Sequence, residues 1–310
     1  KAVTLSKDYG FDGLLACELR ASPSLCRLAQ KCAAEKTYLL TIPSFRPAEV
    51  KGQAKEEAGL RVELMGTPSI FRGEKEIATG LRRQARQLFC LLAYHSERGL
   101  SREEILEAMW PRVKPKPAVD NFHLVLFEVR QGLQKAIGRS CGKAIVKEGG
   151  RYRIGPGLPV RTDVHGFEEL LAGSREAERT GDNAAAKKIM TQALSLKRGE
   201  FCQGWTEDWV QGISRRLEDL HQKALLKLGS LHFKDGDLEN SWECYELAIG
   251  RDELCEEACR GLIRIHGAKG DLNQARALFA NLEKALRKEL KADPAPETME
   301  IYRTVMSSGK

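Results

Sequence analysis

Residues 81–154 read LRRQARQLFCLLAYHSERGLSREEILEAMWPRVKPKPAVDNFHLVLFEVRQGLQKAIGRSCGKAIVKEGGRYRI, and the order of patterns in this stretch decides the fold. A helical apolar period begins at Leu81. A second helix begins behind Ser101-Arg-Glu-Glu104, a capping-box sequence whose serine and glutamate bond the free amides of a helix start. A third, longer helical pattern covers residues 118–137. The stretch ends in two strand-like runs around Gly149-Gly150, which favours a β-hairpin turn.

The third helical pattern has an apolar stripe that we expect to face the core, made of Phe122, Leu126, Val129 and Leu133. Pro115 and Pro117 are expected to hold an open connection before it. Upstream, residues 60–66 alternate apolar and polar, and shorter strand-like pieces follow, which predicts a small N-terminal sheet. Three helices and a terminal hairpin are the plan of a winged-helix domain, whose third helix enters the major groove of DNA.

The charge of the chain is concentrated in this part. The 310 residues carry a net charge of +7. Residues 60–160 hold 18 lysines and arginines against 10 aspartates and glutamates, whereas residues 161–310 hold 23 against 26. A basic domain beside a slightly acidic one is typical of a nucleic-acid binder joined to a protein-interaction or sensing module.

The chain beyond residue 163 is helical in pattern, and it repeats. Gly181, Gly236 and Gly270 are each followed by Asp, and then by a small residue and a larger one at matching positions of a helix. The last two copies are 34 residues apart, which is the tetratricopeptide period, and the first is separated by 55 residues. We therefore predict an all-α, tetratricopeptide-like domain over residues 161–306, whose stacked helices offer a surface to partners or ligands.

The first part of the chain is too short for a core of its own. Residues 1–45 read as short helices. Residues 46–59, with mixed charges, Pro47 and Gly52, read as a linker. The predicted fold class is multidomain and mainly α, with an α+β winged helix at residues 60–160 and the helical repeat domain behind it.

Several motifs, in this order, resemble a known family. They are Ile105-Leu-Glu-Ala-Met-Trp-Pro111, Val129-Arg-Gln-Gly-Leu133, Glu148-Gly-Gly-Arg-Tyr-Arg-Ile154, Asp163-Val-His-Gly-Phe-Glu168 and Leu286-Arg-Lys-Glu-Leu-Lys-Ala-Asp-Pro-Ala-Pro-Glu-Thr298. Together they are similar to the regulators that join a response-regulator-type winged helix to a bacterial transcriptional activator domain, such as the Streptomyces antibiotic regulatory proteins. The resemblance covers residues 60–306.

This resemblance implies a transcriptional activator that binds promoter DNA. It also implies that the connection before the third helix, with Lys114 and Lys116, either meets RNA polymerase or is a spacer. Residues 1–45 resemble the end of a helical repeat domain in large ATP-dependent, maltose-regulator-like activators. That resemblance implies that the chain is the C-terminal part of such a protein and that an ATPase lies upstream.

Eight side chains are the candidate DNA contacts: Arg82, Arg83, Arg86, His123, Arg130, Lys135, Arg151 and Arg153. The three arginines that follow Leu81 either hold phosphates at a helix start or form a solvated face. Arg151 and Arg153 alternate with Tyr152. Both should point to one side, toward phosphates or the minor groove, while the tyrosine packs inward.

The outward side of the third helix is poor in cations. It is predicted to carry Asp120, Leu124, Phe127, Glu128, Gln131 and Lys135. Relatives place arginine or polar residues where this chain has Phe127 and Glu128, whereas Arg130 matches them and His123 lies near the helix start. Leucine or phenylalanine can pack on a thymine methyl group, and they can equally form a protein contact.

We therefore predict a DNA-binding transcriptional regulator, an activator, with double-stranded promoter DNA and RNA polymerase as partners. The helical domain is expected to form a homodimer, contact partners or sense a signal. The alternative is a protein-interaction or ligand-sensing module whose winged helix no longer binds DNA. Salt dependence separates the two, because a protein that neutralises several phosphates loses affinity steeply as salt rises.

Other classes find little support in the sequence. Nine scattered cysteines without a C-x-x-C pair or a matching histidine cluster argue against zinc and paired disulfides. Residues 138–143 are one residue short of a phosphate loop, and neither a nucleophile elbow nor a carboxylate pair stands out, so we expect no enzyme, no cofactor and no metal. Without an apolar run or a signal pattern, a cytoplasmic protein that does not contact membranes is expected.

Overall fold

The computed structural model describes residues 59–77, 80–138 and 144–308, which belong to one compact unit. The predicted helical end at residues 1–45, nearly all of the predicted linker and most of residues 138–143 lie outside the described residues. The helices are α1 Arg83–Tyr94, α2 Arg102–Met109, α3 Pro115–Ile137, α4 Asp163–Arg179, α5 Asn183–Leu196, α6 Asp208–Lys234, α7 Leu238–Ile249, α8 Glu256–Lys269, α9 Leu272–Glu289 and α10 Pro296–Ser308.

Two small sheets frame the first three helices. The strands are β1 Leu60–Glu63, β2 Ser69–Arg72, β3 Lys75–Glu76, β4 Leu100–Ser101, β5 Ile145–Glu148, β6 Arg151–Ile154 and β7 Val160–Thr162. One sheet has the order β3-β2-β1-β7, with β1 and β7 parallel, and the other has the order β4-β6-β5. This arrangement of α1, α2, α3 and the β5–β6 hairpin, here called the wing, is a winged helix.

The capping box, the Gly-Gly turn and the inward-facing Tyr152 that the sequence predicts are all present in the structure. Ser101 accepts a bond from the Glu104 amide at 3.1 Å, and the Glu104 carboxylate accepts one from the Ser101 amide at 2.7 Å, which completes the capping box. Gly149 and Gly150 turn the wing with φ of 56° and 79°. Tyr152 is buried, and its ring meets that of Phe122 edge-on at 5.0 Å.

The prediction of an open connection at Pro115 and Pro117 is wrong. Both residues lie in the first turn of α3, with Lys114 as the N-cap. The amides of a first helical turn have no partner within the helix, so proline loses no hydrogen bond there and its fixed φ suits the helix. The third helix therefore begins three residues earlier than the predicted start at Ala118.

The three Gly-Asp pairs mark three equivalent helix starts in the second part of the chain. Gly181, Gly236 and Gly270 have φ of 83°, 78° and 74°, a left-handed conformation that favours glycine. Each following aspartate caps the next helix by accepting a bond from the amide three residues later. The small residues Ala186, Ser241 and Ala275 are fully buried at the helix contacts, as expected of tetratricopeptide-like packing.

The winged helix and the helical repeats share one hydrophobic core and are joined by hydrogen bonds to the main chain of Leu64 and Met65. The buried Asp163 carboxylate, at the start of α4, accepts bonds from the amides of Leu64 at 2.8 Å and Met65 at 2.9 Å. In the α5–α6 loop, the Cys202 amide donates to the Leu64 carbonyl at 2.6 Å. The division into domains at residues 160 and 161 stays a prediction, since these contacts cross it.

The helices give no sign of a membrane span. Within the part of the chain that the structure describes, none is both long and apolar enough to cross a bilayer. The same residues bring together no group of three histidine, cysteine or acidic side chains that could hold a metal ion.

Candidate nucleic-acid interface

The outward face of α3, defined here as Asp120, Leu124, Phe127 and Gln131, is uncovered. All four side chains are exposed, whereas the predicted apolar stripe on the opposite side of the helix is buried. The stripe anchors α3 because its side chains enter the core shared with α1 and the wing. The helix therefore presents a full row of side chains to whatever approaches it.

Basic residues border this face without occupying its middle. At 100° per residue, Lys116 and His123 fall on one side of the face and Lys135 on the other. All three are exposed. Over the described residues, none of these three side chains forms an ion pair with a carboxylate. The sequence pattern predicted Lys116 in the connection before α3, because Pro115 and Pro117 on either side of it were interpreted as a break between helices.

Arg130 has a position between α3 and the wing. Its Nη2 donates to the carbonyl oxygen of Ile145 in β5 at 2.9 Å, so the side chain ties the helix to the hairpin. The wing has a further cation, Lys147, whose ammonium lies 5.5 Å from the centre of the Tyr152 ring. Lys147 was not among the cations predicted to contact DNA. Its position could have been found from the alternation of apolar and polar residues in the strand before the Gly149-Gly150 turn.

The two wing arginines are engaged by carboxylates. Arg151 Nη1 lies 3.0 Å from Glu104 Oε2 and also donates to the Gly99 carbonyl at 3.1 Å. Arg153 Nη1 lies 3.5 Å from Glu148 Oε2. The Ser101 amide, Arg98 and Arg151 lower the pKa of Glu104 to about 2, so this carboxylate is charged at neutral pH and holds the wing to α2.

The arginines at the start of α1 point in different directions. Arg82 pairs with Glu128 of α3 at 3.1 Å. Arg83 pairs at 3.2 Å with Glu207, the N-cap of α6, which also accepts a bond from Gln87. Arg86 is half-buried. The structure thus places His123, Arg130 and Lys135 on α3 and Arg151 and Arg153 on the wing, but it turns Arg83 toward the helical repeats.

The geometry agrees with matches to known proteins. Residues 162–306 match the family model of the bacterial transcriptional activator domain, so the chain carries this domain. The regulatory protein AfsR of Streptomyces coelicolor is 23% identical over 271 residues, which cover 86% of this chain and 26% of AfsR. The chain thus spans about a quarter of the length of that relative. The regulatory protein DnrI of Streptomyces peucetius is 23% identical over 269 residues, 80% of this chain and 92% of DnrI.

A solved structure supports the fold. Mycobacterium tuberculosis EmbR, determined in complex with a low-affinity phosphopeptide, superposes with a TM-score of 0.71 at 16% sequence identity. The match covers 80% of this chain and 65% of that one. It confirms the predicted fold class, a winged helix followed by a tetratricopeptide-like domain.

Proposed function

Because the chain carries a bacterial transcriptional activator domain behind a winged helix, we propose that it is a transcriptional activator that binds duplex promoter DNA through α3 and the wing. The observation that carries this proposal is the uncovered outward face of α3 with Lys116, His123 and Lys135 along its borders. A third helix of this kind enters the major groove, and cations beside it contact the phosphates on either side. Regulation of transcription is also the role of the domain family that the helical part matches.

A salt series on the full chain tests this proposal. Binding to a labelled random-sequence duplex of about three helical turns is followed by fluorescence anisotropy. If about six phosphates are neutralised, affinity falls on the order of 10³-fold between about 50 and 200 mM salt. Lys116→Gln combined with Lys135→Gln should reduce the slope of log affinity against log salt by about two.

The control for this series changes as much charge elsewhere. Lys188 and Lys234 are exposed in the helical repeats, and replacing both with glutamine should leave the slope unchanged. An unchanged slope in the α3 variant, or an equal change in the control, would remove the assignment of α3. Absence of binding to any duplex at low salt would reject DNA binding altogether.

One observation favours the second candidate function, a protein-interaction module. Leu124 and Phe127 are exposed at the middle of α3, and the wing arginines have carboxylate partners. An apolar contact at this face would depend little on salt. If the chain fails to bind duplex DNA, a protein contact of this face becomes the better function.

The other partners in the proposal are a second copy of the chain and RNA polymerase. Pairing through the helical domain has support from Trp242 and Leu247 of α7, both exposed. Light scattering coupled to gel filtration tests it, and a monomer over a wide concentration range would reject it.

Contact with polymerase would use the exposed connection at Arg112, Val113 and Lys114. Val113→Asp should then reduce activated transcription without reducing DNA affinity.

A further inference from the structure

The middle of the outward face of α3 is apolar. Leu124 is 57% exposed and Phe127 is 58% exposed. Residues three apart on a helix are neighbours, so the two side chains form one small apolar patch. Over the described residues of the winged helix, the only other exposed large hydrophobic side chain is that of Val113, 39% exposed at the α2–α3 connection.

The surroundings of this patch indicate what covers it. Lys116, His123 and Lys135 border the face, the neighbouring Glu128 is paired with Arg82, and the winged-helix part is strongly basic. Basic residues along both borders favour a polyanion as the ligand. The apolar patch between them then needs an apolar group that lies between two rows of phosphates. In the major groove of DNA the C5 methyl group of thymine is such a spot, and apolar side chains of a reading helix pack against it.

The polar neighbours of the patch agree with this reading. Guanine is most often read by arginine or lysine, and the middle of this face has neither. Gln131 is exposed one turn beyond Phe127, and a glutamine amide can bond adenine, the partner of thymine. Asp120 can accept a bond from the amino group of cytosine on the other side of Leu124.

We propose that Leu124 and Phe127 are specificity-determining residues that read thymine methyl groups, so that A·T pairs occupy the middle of each half-site. This inference rests on the proposed function, since it requires α3 to enter the major groove. It names the chemical group that the helix selects there. A second class of occupant, an apolar protein surface, remains an outcome of the test.

The test compares duplexes that differ only in the methyl group. The full chain is titrated with a labelled alternating A·T duplex and with the same duplex carrying deoxyuridine in place of every thymidine. Phosphate charge and base pairing are the same in both. Burying one methyl group should favour the thymine duplex about fourfold, and burying two about fifteenfold.

Variants assign the effect to the patch. Leu124→Ser combined with Phe127→Ser should bring the ratio of the two affinities close to one, because the thymine duplex should lose more affinity than the uracil duplex. Leu247→Ser is the matched control, because Leu247 of α7 is 59% exposed and lies outside the winged helix. It should leave the ratio as it is in the unchanged chain.

The outcomes separate this inference from the proposed function. Equal affinity of the unchanged chain for the two duplexes would overturn thymine reading and leave DNA binding in place. The same holds if the double variant weakens binding to both duplexes equally, because the patch would then support docking without selecting a base. Failure to bind either duplex would overturn the proposed function and this inference together, in favour of a protein partner.

Discussion

Arg82 Nη1 lies 3.1 Å from Glu128 Oε1, and this pair connects the N-cap of α1 to the middle of α3. The arginine is 82% exposed, whereas the glutamate is 24% exposed. The Glu128 carboxylate lies beside the face that we assign to DNA. It pairs with the Arg82 guanidinium, which could otherwise reach a phosphate. The pair therefore limits the charge that this end of the molecule offers to a polyanion.

Glu128→Gln should increase nonspecific DNA affinity and steepen its salt dependence. The change releases Arg82, and one added phosphate contact raises the slope of log affinity against log salt by about one. Loss of the exposed pair should cost at most about 1 kcal/mol of stability. The anisotropy salt series measures the slope. With Arg82→Gln added, the slope should return to that of the unchanged chain, and if it stays steep the released arginine is not the cause.

Asp163→Asn should destabilise the whole unit. The carboxylate is 6% exposed and accepts bonds from three amides, those of Leu64, Met65 and Val164. An asparagine offers one acceptor oxygen and turns its NH2 group toward an amide, which should cost about 1–3 kcal/mol. Urea unfolding measures the loss. Asp120→Asn, on exposed α3, is the control and should change stability little; equal stability of the two variants would contradict the role of Asp163.

The capping box should make stability depend on acid. The pKa of Glu104 is lowered from 4.5 to about 2, so ionised Glu104 stabilises the fold above pH 4.5, and this contribution disappears as the pH falls toward 2. Glu104→Gln should therefore flatten the pH dependence of the urea midpoint in that window. Glu107→Gln, on the exposed side of the same helix, is the comparison. Parallel curves for Glu104→Gln and the unchanged chain would show that the proton is not linked to folding.

Gly261→Ala should destabilise the helical repeats. A Cβ atom at Gly261 of α8 would lie 2.4 Å from Cε2 of the buried Tyr245 ring, and relieving that overlap should cost about 1–3 kcal/mol. Gly212→Ala, in α6 with no atom within 4 Å of the added group, should instead stabilise by up to about 1 kcal/mol. Thermal unfolding of both variants checks the contrast. A gain at both positions would mean that the tyrosine moves aside at little cost.

Much of the fold could be predicted because its signals are local. The Gly-Asp helix starts, the capping box of Ser101 and the turn at Gly149 each depend on residues within one turn of one another, and all three are confirmed. The start of α3 could not be predicted from Pro115 alone. Proline both ends a helix and suits its first turn, and only the packing of the following residues decides between the two.

The partners of the candidate cations could not be predicted for a different reason. Arg83 and Glu207 are 124 residues apart in sequence, and Arg82 and Glu128 are 46 apart. Pairs of this kind depend on how the helices pack against one another, and the periodicity of apolar residues in the sequence does not determine that packing. The sequence therefore identifies cations near the interface but not the carboxylates that occupy them, and the assignment of individual DNA contacts stays a prediction.

The hydrogen bonds that Leu64 forms with Asp163 and Cys202 have a consequence for operator geometry. They attach the winged helix directly to the helical repeats. If two copies pair through their repeats, the protein itself sets the distance and rotation between the two α3 helices. Inserting about five base pairs between half-sites would turn one of them to the far side of the duplex and should abolish paired binding, whereas inserting about ten should be tolerated far better. If a flexible linker joined the winged helix to the repeats, both insertions would allow paired binding.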